Sequence, residues 1–234
     1  MENTTYSDHN VTVKEYAYRV SSAIANAILV TLGIGLLIQT VASFIHWNAL
    51  YQVGIMANDL LAPALGVAIA SQLNTNSLVI FSAMISSTVG ANAVHFTNAA
   101  VNGTTATGST LAQAAGSAVI STGQPVSAVL AGLIAALVGK YLTGKTPLDM
   151  MLVPLTATLV GGISGLGLAA VTTPLLLDVS AFIAKSMQVN PFVGSIAVSL
   201  VWALFLMTPA SSAALAIALT LDPISSAAAL IGTT

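Results

Sequence analysis

Long apolar runs alternate with short polar breaks along this chain. The first run extends from about Val20 to Phe44. At about 1.5 Å per helical residue it is long enough to cross roughly 30 Å of hydrocarbon. His46, Trp47 and Tyr51 follow it, where an aromatic belt belongs. A second run, about Leu50 to Ser71, is interrupted by Asn58, Asp59 and Pro63. A third runs from about Leu78 to His95, after the polar turn at residues 72–76. A fourth covers about Pro125 to Leu142. A fifth covers about Leu148 to Val171, with Pro154 and a glycine cluster inside it. A sixth is expected from about Pro191 to Met207.

Other stretches fit no full span. Residues 96–124 are rich in Asn, Thr, Gly, Ser and Ala, and read as either an aqueous loop or a re-entrant segment lining a cavity. In residues 174–187, Asp178 and Lys185 lie two helical turns apart on one face. This is the pattern of an interfacial helix or a short tilted one, set apart from the fifth span. The apolar stretch from Thr208 to Thr234 contains Pro209 and Asp222-Pro223 and reads as a broken or half-length helix. The pattern predicts an all-α polytopic membrane protein of about six to eight transmembrane or half-membrane helices. A polar tail at 1–19 precedes a membrane domain at 20–234.

Composition strengthens this. Between Arg19 and Lys140 the only charged residue is Asp59; 5% of the chain is charged and 56% is hydrophobic. The mean hydropathy is +0.93. A soluble surface needs far more charge. No basic patch suits nucleic acid. The chain has no cysteine, which excludes disulfides, thiolate metal sites and cysteine nucleophiles. The three histidines stand in unlike contexts, and no Walker-type loop appears. No catalytic residue, metal or cofactor is expected. Lys14 and Arg19 flank the first span and Lys140 and Lys145 follow the fourth. Four crossings bring both pairs to one side, expected to be cytoplasmic, with Lys185 the exception.

Small residues recur at helical spacing. Ala128, Gly132, Ala135 or Ala136, and Gly139 form one stripe, and Gly161 and Gly165 make a GxxxG pair. In lipid such residues let helices approach closely. The alternative is that the glycines permit a break beside a substrate. They also point to a homodimer.

Asp59 is the first candidate for solute chemistry. A carboxylate at the centre of a span costs roughly 2.5–3.5 kcal/mol on insertion scales, so it marks either a polar site or a displaced, interfacial segment. Asn58 and Pro63 favour an unwound stretch where backbone groups and a carboxylate meet hydroxyls. His95 reads either as a hydroxyl or proton partner or as the cap of a span. Gln124, in Gly-Gln-Pro before an apolar run, marks a helix start and projects toward the preceding loop. Ser211 and Ser212, after Pro209, offer hydroxyls beside unpaired carbonyls, or simply stabilise a kink.

The segments LGIGLLIQT (32–40), LAPALGVAIA (61–70), GQPVSAVLAGLIAALVGKYLTGKTPLDMMLVPLTATLVGG (123–162) and PFVGSIAVSLVWALFLMTPASSAALAIAL (191–219) resemble the enzyme IIC family of bacterial phosphotransferase systems, in its type 2 branch. The GKYLTGKTPLDMMLVPL run is the most specific, and the resemblance covers roughly residues 20–230. It implies a sugar permease of the bacterial cytoplasmic membrane. It also implies that a separate IIB protein, supplied by IIA, carries the phosphoryl group. Members of the family continue with further helices, which implies a truncated member here. The family lends no binding residues. Two other readings stand beside it: a secondary transporter or channel using Asp59 as a proton or cation site, and a membrane regulatory protein that transports nothing.

Overall fold

Helix α1 (Val13–Ile28) passes through a π turn (Leu29–Gly33) into α2 (Ile34–Ile45). Its start lies inside the stretch read as a polar tail. The computed structural model describes residues 13–104, 108–145, 147–189, 194–196 and 199. Residues 14–45 form a single helical rod of 32 residues, about 48 Å long. His46 ends it in the left-handed region, at φ 55°. After Trp47 the chain returns through α3 (Asn48–Asp59) and α4 (Leu61–Gln72), which are bent by 49° at Leu60. The polar pair Asn58-Asp59 and the first-turn Pro63 place the break there. Proline has no N–H to give the Asp59 carbonyl, so one bond of the ladder is missing at this point.

Asn76 caps α5 (Ser77–Gly90) by accepting a hydrogen bond from the Val79 N–H at 3.0 Å. α5 ends five residues short of His95, which the pattern had placed at the end of that span. The polar stretch after it is not a plain loop. It is a β-arm of two nested antiparallel ladders, β1 (Val94–Phe96) with β4 (Ala118–Ile120) and β2 (Val101–Thr104) with β3 (Thr110–Gln113). Helix α6 (Pro125–Leu142) starts with proline at its first position, where no N–H is missed. Helix α7 (Asp149–Val189) runs unbroken for 41 residues with Pro154 and Pro174 inside it. The separate helix expected from 174 is therefore part of α7. The sixth span and the stretch from Thr208, with Ser211 and Ser212, lie outside the described residues, apart from 194–196 and 199.

Packing is inverted relative to a water-soluble protein. Buried positions are largely Ala, Gly and Ser, while Phe44 (80% exposed), Phe81, Met150 and Ile163 point outward. Large apolar side chains face lipid, and small ones let backbones meet. A Cβ on Gly66 would lie 2.3 Å from the Ala83 carbonyl oxygen, and one on Gly132 2.4 Å from Ser87 Oγ. Gly139 meets Val79 in the same way, Gly161 meets Ala135 and Ser86, and Gly165 meets Ala131 and the Gly90 backbone. α5 is thus in backbone contact with α4 and α7, and in close side-chain contact with the glycines of α6. Ser87 Oγ donates to the Ala128 carbonyl at 2.8 Å and ties α5 to α6.

Two core clusters set the levels of the molecule. Tyr16, Val20 and Ile24 pack with Ile69, Val79, Ala135 and Val153 at one end. Ile28 and Leu32 pack with Leu61, Ala91, Ala93 and Ala128. The bend at Leu60, the end of α5 and the start of α6 therefore sit level with the middle of the α1–α2 rod. Lys140 lies at the first end, donating from Nζ to the Leu73 carbonyl at 2.7 Å, 5.3 Å from the Tyr16 ring centroid. The two basic clusters thus share one end. Lys140→Met is expected to cost about 1 kcal/mol through loss of the bond and the ring contact. Thermal unfolding in detergent measures it.

Candidate functional site

Segment 121–124 joins the β-arm to α6. The Ser121 N–H donates to the Ala93 carbonyl and the Gln124 N–H to the Ala91 carbonyl, both at 2.8 Å. These bonds clamp the segment to the end of α5. Gly123 lies between them at φ +65°, and a Cβ there would meet Ala93 Cβ at 2.7 Å and Ala91 Cβ at 2.9 Å. Only glycine fits, because the conformation is left-handed and the approach is too close for a side chain.

The clamp brings three of the sequence candidates to one junction. Thr122 Oγ1 donates to Asp59 Oδ1 at 3.2 Å, across the break between α3 and α4. His95 Nε2 is 2.9 Å from Ser121 Oγ. His95 is exposed, in β1 rather than at a helix end. Gln124 stands at the start of α6, and its Oε1 accepts a 3.5 Å contact from Ser127 Oγ. Ser127 Oγ in turn lies 2.8 Å from Thr172 Oγ1, which carries the polar line to α7. Ser127 and Thr172 were not read as site residues, and Thr122 lay within the candidate segment 122–126, from which Gln124 alone was picked. Only Thr122, beside Gln124 in the Thr-Gly-Gln-Pro segment, gave a usable signal.

Helices α4 and α6 both begin here, and the N–H groups of a first helical turn have no acceptor within their own helix. A carboxylate, hydroxyls, an amide and two helix N-termini thus lie along one short polar segment, in contact with Asp59 through Thr122. The arrangement holds donors and acceptors for a neutral, hydroxyl-rich solute, and the helix ends favour electron-rich oxygens. Among the described residues no three His, Asp or Glu side chains gather as metal ligands do.

Asn58 points elsewhere. Its Oδ1 is buried without a hydrogen-bond partner, as is Nε2 of Gln39 on α2, a residue the sequence pattern did not single out. A buried amide group left without a partner costs about 1–3 kcal/mol. The glycines Gly132, Gly139, Gly161 and Gly165 lie between helices of the same chain. The GxxxG face of α7 is thus occupied by α5 and α6, and a homodimer would have to use another surface.

A helical body with large apolar residues outside, small ones inside and a helix broken at Leu60 defines a polytopic membrane protein. The family described as "Phosphotransferase system, EIIC" matches residues 18–234. The chain belongs to that family, so it is a membrane permease subunit of a phosphotransferase system, acting with a sugar and with IIA and IIB components. No curated protein matches it, and no solved structure does.

Proposed function

We propose that the sugar is held at the junction of Asp59, Thr122, Gln124 and His95, near the middle of the bilayer. The hydrogen bond between Thr122 and Asp59 carries this reading, because it pins a helix-start segment of irregular backbone against a helix break level with the midpoint of a membrane-long rod. Irregular backbone at that depth is stable only where it faces protein or a polar path. Asp59 accepts from solute hydroxyls, Gln124 both donates and accepts, and His95 lies at the mouth beside the β-arm. Movement of one helix group against another would open the junction to each face in turn. Phosphoryl transfer is then done by a separate IIB protein on the emerging sugar. The shared end of Lys14, Arg19, Lys140 and Lys145 is assigned to the cytoplasm of a bacterial cell, with the N-terminus on that side.

The test is a thermal-stability screen of the purified protein against sugars and sugar alcohols, with Asp59→Asn run in parallel. A solute at about 100 times its dissociation constant stabilises by roughly 2.7 kcal/mol. We expect a selective rise with one solute, lost or much reduced in Asp59→Asn. A rise of equal size in both proteins would remove Asp59 from the site. A stable protein shifted by added cations and by no sugar, with the shift lost in Asp59→Asn, would instead point to Asp59 as a cation or proton site.

A further inference from the structure

The α2–α3 hairpin is built differently from the rest of the body. Its two helices meet at Gly35 and Gly54. A Cβ on Gly54 would lie 2.7 Å from the Gly35 carbonyl oxygen, and one on Gly35 3.0 Å from that of Gly54. Each glycine also faces an amide side chain of the other helix. Asn58 Oδ1 lies 2.1 Å from the Cβ position of Gly35, and Gln39 Cγ 2.6 Å from that of Gly54. Two amides thus flank one close crossing, a helical turn apart. One offers an unused acceptor, Asn58 Oδ1, and the other an unused donor, Gln39 Nε2. Hydroxyl groups, which both donate and accept, are the chemical complement of such a pair.

The hairpin is also bounded by two irregular points at the same level. One is the π turn Leu29–Gly33, where Thr31 Oγ1 bonds back to the Ala27 carbonyl at 2.8 Å. The other is Leu60, at φ −82° and ψ 5°. π turns and helix breaks are where helical rods bend. Among the described residues, α2 and α3 pack on each other and on the π turn, and touch the body substantially only where α3 meets α4.

We propose that Gln39 and Asn58 form a hydroxyl-binding pair, presented to the solute path when the α2–α3 hairpin swings as a unit about Leu29–Gly33 and Leu60. The ligand is a hydroxyl group of a carbohydrate or polyol. Asn58 adjoins Asp59, so the pair extends the junction outward along α3. The proposal rests on the reading of that junction as the solute site.

The cysteine-free chain allows a direct test. Gln39→Cys and Asn58→Cys are made singly, with Asn48→Cys as an exposed control and Leu65→Cys as a buried one. Each is reconstituted in lipid vesicles and treated with a charged methanethiosulfonate, which reacts with thiols only where water reaches. We expect both test positions to react far faster than Leu65→Cys. We expect the solute that stabilises the wild type to slow them about a hundredfold at 100 times its dissociation constant for the variant being labelled, where about one site in a hundred is free. Test positions as inert as Leu65→Cys would overturn the proposal, since the crossing then never opens. Labelling that the stabilising solute does not slow would overturn it too, because water alone then satisfies the amides. Both results leave the junction reading intact. A wild type stabilised by no solute takes down that reading, and the proposal with it. The variant Gln39→Met/Asn58→Leu supplies a second readout. It should melt at a higher temperature, with two orphaned amides gone, yet lose the solute response; an unchanged response would reduce the pair to packing.

Discussion

Gly165→Ala should melt well below the wild type, while Gly167→Ala, two residues away on the same helix, should melt above it. A Cβ on Gly165 would lie 2.5 Å from Ala131 Cβ and 2.7 Å from Gly90 Cα. Neither neighbour is the flexible end of a long side chain, so α5, α6 and α7 would have to separate. Overpacking of this kind costs about 1–3 kcal/mol, and more where backbone must shift. The damage would spread, because Gly161 one turn earlier shares the contact through Ser86 and Ala135. Gly167 has nothing within 4 Å of its Cβ position. There the added methyl only improves helix propensity, by up to about 1 kcal/mol. Thermal unfolding of both variants in one detergent checks the pair. Equal effects at the two positions would mean that α7 does not pack on α5 and α6 through this face.

Gly123→Ala should damage the junction more than the fold around it. The residue must hold a left-handed conformation, and its Cβ would collide with Ala91 and Ala93. Strain and collision together cost about 2–4 kcal/mol. The segment can relax by lifting away from α5, which pulls Thr122 from Asp59 and Ser121 from His95. Each hydrogen bond lost to a bound solute corresponds to roughly tenfold in affinity. Gly116→Asn is the control. Gly116 has φ +84° but open space around it, in the β-arm, and asparagine tolerates that conformation. A Gly123→Ala protein that binds solute as the wild type does would show that segment 121–124 does not shape the site.

The membrane class, five of the apolar runs and the break at Asn58-Asp59 were legible because lipid imposes one rule over long windows: apolar residues outside and charge almost nowhere. The break was legible for a local reason, two polar residues beside a proline. The β-arm was not. Residues 94–120 carry no strict alternation, since Asn, Thr, Ala and Gly occupy both faces, and their strands of three and four residues are held by cross-strand pairing. The charged pair Asp178 and Lys185 misled in the opposite direction: it read as a separate interfacial or tilted helix, but both residues lie in α7, which also carries Pro174 inside it. Asp59 and Gln124 could be picked singly, as rare polar residues in apolar surroundings. Their meeting could not, because it depends on Ala91 and Ala93 gripping segment 121–124 from a distant part of the chain. Gln39 was hidden for another reason: one glutamine in an apolar run is unremarkable until its partner helix is known.

The shortness of α5 bears on how this protein enters the membrane as it is made. Fourteen residues rise about 21 Å, less than the bilayer core. During synthesis α5 cannot be threaded across as a self-sufficient stop segment, and its Gly90 face has no partner until Ala131 and Gly165 have been translated. Residues 77–142 must therefore enter as a paired unit, with the polar arm held between two helices. A ribosome stalled just past Gly90 should leave α5 loosely inserted and open to membrane proteases. One stalled well into α7 should not.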